Sequence, residues 1–81
     1  MTEIEGTALH EVQSQLLKAI GYDADHRILY AQFHANKRGV APIWMYEDVS
    51  GSEYAQLTAA GSIGSHFLKN IRGAKISRLV G

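Results

Sequence analysis

The chain has 81 residues, which is room for one small domain, and its eight acids balance its eight bases. With 46% hydrophobic and 20% charged residues it has too much apolar content for extended disorder. No run approaches the ~18–20 apolar residues of a membrane-spanning helix, and the absence of cysteine excludes disulfides and thiolate metal sites.

The first residues, Met1-Thr2-Glu3-Ile4-Glu5, are acidic and carry no apolar stretch, so they do not read as a signal peptide, and a cytoplasmic location is expected. Residues 1–13 have the weakest pattern: Ile4, Leu9 and Val12 fit either a short helix or an extended arm. Residues 14–81 then read as a single domain.

Leu16 to Tyr22 is expected to be a strand, closed by an Asp-rich turn at Asp23-Ala24-Asp25-His26. From Arg27 to Ala35 apolar residues alternate, with Leu29, Ala31 and Phe33 on one face and Ile28, Tyr30, Gln32 and His34 on the other, which is the signal of a half-buried strand. Asn36-Lys37-Arg38-Gly39 is a hairpin loop, since Asn and Gly tolerate positive φ. Val40 to Val49 returns, with Pro42 near its start and Trp44 and Tyr46 sharing a face.

Ser50 and Glu53 have capping-box spacing and open a helix expected to run to Gly61. Gly61-Ser62-Ile63-Gly64-Ser65 is a turn leading into a second helix, with Phe67, Leu68 and Ile71 apolar and Gly73 at its end. Ala74 to Val80 is a final strand or a tail. The order predicts an α+β fold: an antiparallel meander of three to four strands with two short helices packed on one face.

The run Val12-x-Ser14-x-x-Leu17-x-x-Ile20-Gly21-Tyr22-Asp23 resembles the opening of KTSC domains, a family named after the C-terminus of some lysyl-tRNA synthetases. Trp44-Met45-Tyr46 stands where the family has Tyr-x-Tyr, followed by Glu47-Asp48-Val49. Ser62-x-Gly64, Phe67 and Ile71-Arg72 match the downstream pattern, so the resemblance spans about residues 12–73. The chain departs from the family at Trp44 and in its tail, where Ala74 and Ile76 replace aromatics. The resemblance implies a small bacterial or phage protein with no established activity, for which RNA binding has been suggested.

Enzyme constellations are missing. The histidines, His10, His26, His34 and His66, have no helical metal-pair spacing, and no nucleophile elbow or phosphate-binding loop motif is present. No metal, cofactor or catalytic residue is expected; were the chain an enzyme acting on a nucleotide, His34 or His66 would be the candidate acid or base.

Charge position says more than net charge. Residues 1–53 hold all eight acids and four bases, whereas residues 54–81 hold only Lys69, Arg72, Lys75 and Arg78. Cations following a Gly/Ser turn at a helix start suit an anion, so Ser62, Gly64, Ser65, Lys69 and Arg72 are the expected phosphate-binding residues. The alternative is an ordinary helix cap with solvated cations. Trp44, Tyr46 and Tyr30 are the expected base-stacking aromatics, or else core or interface residues.

Together these features predict a non-enzymatic binding module for a phosphate-bearing nucleotide. It would be a sequestering protein for a small or cyclic nucleotide signal, of phage origin, or an RNA-binding domain. Zero net charge is thin for a long polyanion and favours the compact ligand. The competing class is a protein-interaction module whose aromatics make homo- or hetero-oligomeric contacts. A chain this short buries only about 60–65% of its unfolded surface, so a homo-oligomer is expected, with pockets at its subunit boundaries.

Overall fold

The structure, a computed structural model, describes residues 2–81. Six strands run in sequence order through an all-antiparallel sheet: β1 (Thr2–Ile4), β2 (Thr7–Glu11), β3 (Leu17–Asp23), β4 (Ile28–Phe33), β5 (Ile43–Tyr46) and β6 (Ser77–Leu79). Helices α1 (Gly51–Ala59) and α2 (Ile63–Phe67) fall between β5 and β6, and a π-helical turn, Leu68–Arg72, continues α2. The α+β class and the two helices are as expected. The sheet, however, has six strands rather than three or four.

The strands beyond the expected meander, β1 and β2, lie at the N-terminal end. Residues 2–11, for which a helix and an arm were both open, form a tight hairpin. Glu5 and Gly6 both take positive φ at its two-residue turn, which matches the right-handed twist of the flanking strands. At the other end, of the strand and the tail open for Ala74 to Val80, the strand is found: β6 pairs with β5, setting Leu79 opposite Trp44 and Ser77 opposite Tyr46.

β3 carries a bulge between Leu17 and Ala19, where the pairing with β4 shifts. The extra residue resets the alternation, so Leu17 and Ile20 point to the same face although three positions apart. That face packs under the helices: Leu17, Ile20, Leu29, Ala31, Tyr46 and Val49 meet Leu57, Phe67 and Ile71. Phe67 sits edge-on to both Tyr46 (centroids 5.1 Å apart) and Phe33 (5.8 Å).

The opposite face buries a second cluster: Leu9, Ala19, Tyr30, Ile43 and Met45, with Ile4 and Val80 packed on it. Ile4 of β1 and Gly81 beyond β6 approach one another, so the sheet curls until both ends flank this cluster. The curl brings β2 tightly over β3. A Cβ on Gly21 would stand 2.4 Å from the Ala8 carbonyl oxygen, so only glycine fits.

Local polar contacts fix the helices. Glu53 N–H donates to Ser50 Oγ and Ser50 N–H donates to Glu53 Oε1, completing the expected capping box of α1. The helix stops at Ala59 with Ala60 extended, two residues short of Gly61. Tyr22 stacks on Tyr54 of α1 (4.7 Å, 11°) and donates its hydroxyl to the Val49 carbonyl. Among the described residues no helix is long and apolar enough to cross a membrane.

Candidate functional site

Three of the expected site residues converge. Trp44 and Tyr46 project from β5 toward the helical layer, and Arg72, ending the π turn, reaches the same cleft of about 510 Å³. That volume falls in the range of small-molecule pockets. Phe33, His34 and Asn36 from the β4–β5 hairpin, with Pro42 and Ser77, complete the wall. π turns recur at functional sites because they shift side chains out of regular helical positions.

The two aromatics play different parts. Tyr46 is 2% exposed, edge-on to Phe67, so it forms the floor and offers no free ring face. Burial raises its pKa, and the nearby Arg72 guanidinium opposes that rise. Trp44 is only half-buried and is the ring a planar ligand can reach.

The polar groups of the cleft are nearly all donors. Arg72 makes no ion pair or side-chain hydrogen bond among the described residues. Asn36 Oδ1 accepts from the N–H groups of Arg38 (2.9 Å) and Val40 (3.1 Å), leaving its NH₂ group as a free donor. The Ser77 hydroxyl and the Trp44 indole N–H are likewise unpartnered among the described residues. His34 is tied by Nε2 to the Ser14 carbonyl at 2.6 Å. Among the described residues no carboxylate lines the cleft. Donors, a guanidinium and an apolar ring face suit a planar ligand carrying an anionic group.

The other expected residues lie elsewhere. Tyr30 pairs with Met45, which puts it on the opposite sheet face from Trp44, 3% exposed in the second cluster. Ser62, Gly64 and Ser65 line a separate cleft against Gln13, Ser14 and Leu16. There Ser65 N–H already donates to Ser62 Oγ (3.3 Å) and His66 N–H to the Ser62 carbonyl, so the turn satisfies its own helix start. Gly64 serves packing, since a Cβ there would stand 3.0 Å from Ser14 Oγ. Lys69 is exposed and lines neither cleft.

Lys75 is not a free cation. Its ammonium reaches Glu53 Oε2 (2.9 Å) and donates to the Asp48 carbonyl (2.7 Å), tying the segment before β6 to the start of α1. His34, Asn36 and Ser77 were not among the expected ligand residues. The sequence singles out His34 as a candidate acid or base and Asn36 as part of the hairpin loop; what points to them as ligand residues is their place on the hairpin that carries Trp44. Among the described residues no group of three or more His, Cys, Asp or Glu is placed to hold a metal ion.

No curated protein matches the chain. Among solved structures it is similar to the crystal structure of a KTSC domain protein from Yersinia pestis, with a TM-score of 0.80 and 29% identity over 93% of this chain and 99% of that one. The family model described as the KTSC domain matches residues 13–74, from the loop before β3 to the end of the helical layer, and the chain belongs to that family.

Proposed function

We propose that this chain is a non-enzymatic, cytoplasmic binding module that holds a small phosphate-bearing nucleotide, with the base against Trp44 and the phosphate on Arg72. The observation that carries the reading is an Arg72 guanidinium that, among the described residues, has no carboxylate partner and shares one cleft with a half-buried Trp44 and no acid. Asn36 and Ser77 add donors for the sugar or the base edge. Holding rather than converting fits the lining, because its one histidine, His34, has Nε2 engaged by a backbone carbonyl. Capture of a small or cyclic nucleotide signal is the role such a domain would serve.

The test is a melting series with adenosine monophosphate, an ADP-ribose-type nucleotide, a cyclic dinucleotide and a short single-stranded RNA. A ligand at about a hundredfold excess over its Kd adds ~2.7 kcal/mol of stability, which in a domain this small raises Tm by roughly 10 °C or more. A rise with a compact nucleotide that Arg72→Ala removes supports the reading. No rise with any nucleotide at millimolar concentration overturns it. A rise with RNA alone moves the function to the polymer.

A further inference from the structure

β6 is the last strand of the sheet, and its outer edge is unoccupied among the described residues. Val80 N–H donates to the Ile43 carbonyl, and Glu47 N–H donates to the Ile76 carbonyl, so residues 76 and 80 turn their backbone groups toward β5. By the alternation of an antiparallel ladder Arg78 does the same, and the N–H and C=O groups of Ser77 and Leu79 point away from the sheet. None of those groups has a hydrogen-bond partner among the described residues, and all three residues of β6 are exposed. Folded proteins usually cover or blunt such an edge, because unpaired strand groups are a template for another chain.

Each face of this edge has its own chemistry. On the helical side Leu79 is 55% exposed and extends the row begun by its cross-strand partner Trp44. On the other side Arg78 makes no ion pair among the described residues, in a stretch from Tyr54 to Gly81 that contains no acid; the nearby acid on this face is Glu5 of the β1–β2 turn, which with Arg78 flanks Tyr30. An added strand that alternates apolar and acidic residues would set its apolar side chains beside Leu79 and its carboxylates beside Arg78.

A second copy of β6 fits less well. Antiparallel pairing that uses the whole strand is centred on Arg78 and sets the two Arg78 residues opposite each other as a non-hydrogen-bonded pair, at Cα atoms about 4.5 Å apart. Like charges at that position oppose the pairing. We infer that β6 is a docking edge for an extended acidic peptide of a partner protein, added as a seventh strand with alternating apolar and acidic side chains. This inference stands without the nucleotide reading, because it uses the outward backbone groups of Ser77 and Leu79 and not the Ser77 hydroxyl or the other side chains that line the cleft.

The test is fluorescence anisotropy of a labelled Val-Glu-Val-Glu-Val peptide titrated with the full chain. Saturable binding is expected, and a Val-Lys-Val-Lys-Val peptide should not bind. Arg78→Glu should weaken binding by about tenfold or more. A peptide N-methylated at alternate amides should lose binding in one of the two methylation phases only, which reads backbone pairing directly. Ser77→Pro, which removes an outward N–H and leaves the β5 ladder intact, should also abolish binding. No binding up to ~1 mM peptide, equal binding of the basic peptide, or indifference to N-methylation in both phases would overturn the inference. So would sedimentation of the chain as a dimer that Ser77→Pro dissociates.

Discussion

Arg72 and Trp44 are 28 positions apart, and neither has a binding signature alone. What makes them a site is what surrounds each. An exposed arginine–carboxylate pair, such as Arg27 with Asp48, contributes under ~1 kcal/mol. Arg72 makes no such pair among the described residues: every acid lies in residues 1–53, Glu53 binds Lys75 and caps α1, and Asp48 pairs with Arg27. Replacing Arg72 should therefore cost binding and not stability. Arg72→Ala is expected to weaken a phosphate ligand by about 1.5–3 kcal/mol with Tm almost unchanged, as calorimetry and melting on the same variant would record. Arg72→Lys should recover only part of the loss, since an ammonium keeps the charge and loses the planar fork.

The elements differ in how far the sequence disclosed them. The hairpin of β4 and β5 was legible because its alternation is strong and its loop carries Asn36 and Gly39, and the capping box of α1 was legible in Ser50 and Glu53 alone. β1 and β2 were not, and for β6 a strand and a tail were both open. Thr7–Glu11 has one large apolar residue and its turn puts Glu5 where Asn or Gly is usual, while β6 is exposed at all three residues, so its rough alternation did not separate strand from tail. The bulge in β3 hid the common face of Leu17 and Ile20 behind the wrong spacing.

The cap of α1 also has a pH signature. The Ser50 N–H and then the Lys75 ammonium hold the Glu53 carboxyl below its ordinary pKa. A depressed folded-state pKa gives stability that is present above the unfolded carboxylate value and lost as pH falls through the folded one. Glu53→Gln should lower stability near neutrality by about 1 kcal/mol and flatten the loss of stability on acidification. Denaturant melts from neutral to acidic pH would check this; parallel curves for both proteins would show that the cap contributes nothing to the acid response.

For the whole molecule, the second cluster is what turns a half-sheet under helices into a curled sheet with apolar residues buried on both faces. Its radius of gyration, 11.6 Å, matches the roughly 12 Å of a compact domain this long. Closure depends on the contact of β2 with Gly21, where a methyl group has no space. Gly21→Ala should cost about 1–3 kcal/mol from overpacking, and in so small a domain each kcal/mol lowers Tm by roughly 4–8 °C. An unchanged Tm would mean that β2 does not lie against β3 as described. The same closure explains what the sequence withheld about the site. The register of β4 on β5 sends Tyr30 into the second cluster while sending Trp44 toward Arg72, and the helical layer places Ser62 to Ser65 over the Ser14 loop instead of beside the aromatics.

The nucleotide reading meets its most direct test in the indole N–H resonance of Trp44, which is unique because the chain has one tryptophan. On titration with a compact nucleotide that indole signal, the Arg72 side chain and the Asn36 carboxamide should shift together and saturate at one Kd, while Tyr30 and the Ser62–Ser65 amides stay still. Shifts confined to Ser62–Ser65, with Trp44 and Arg72 unmoved at saturation, would contradict the assignment of the site to the Trp44–Arg72 cleft.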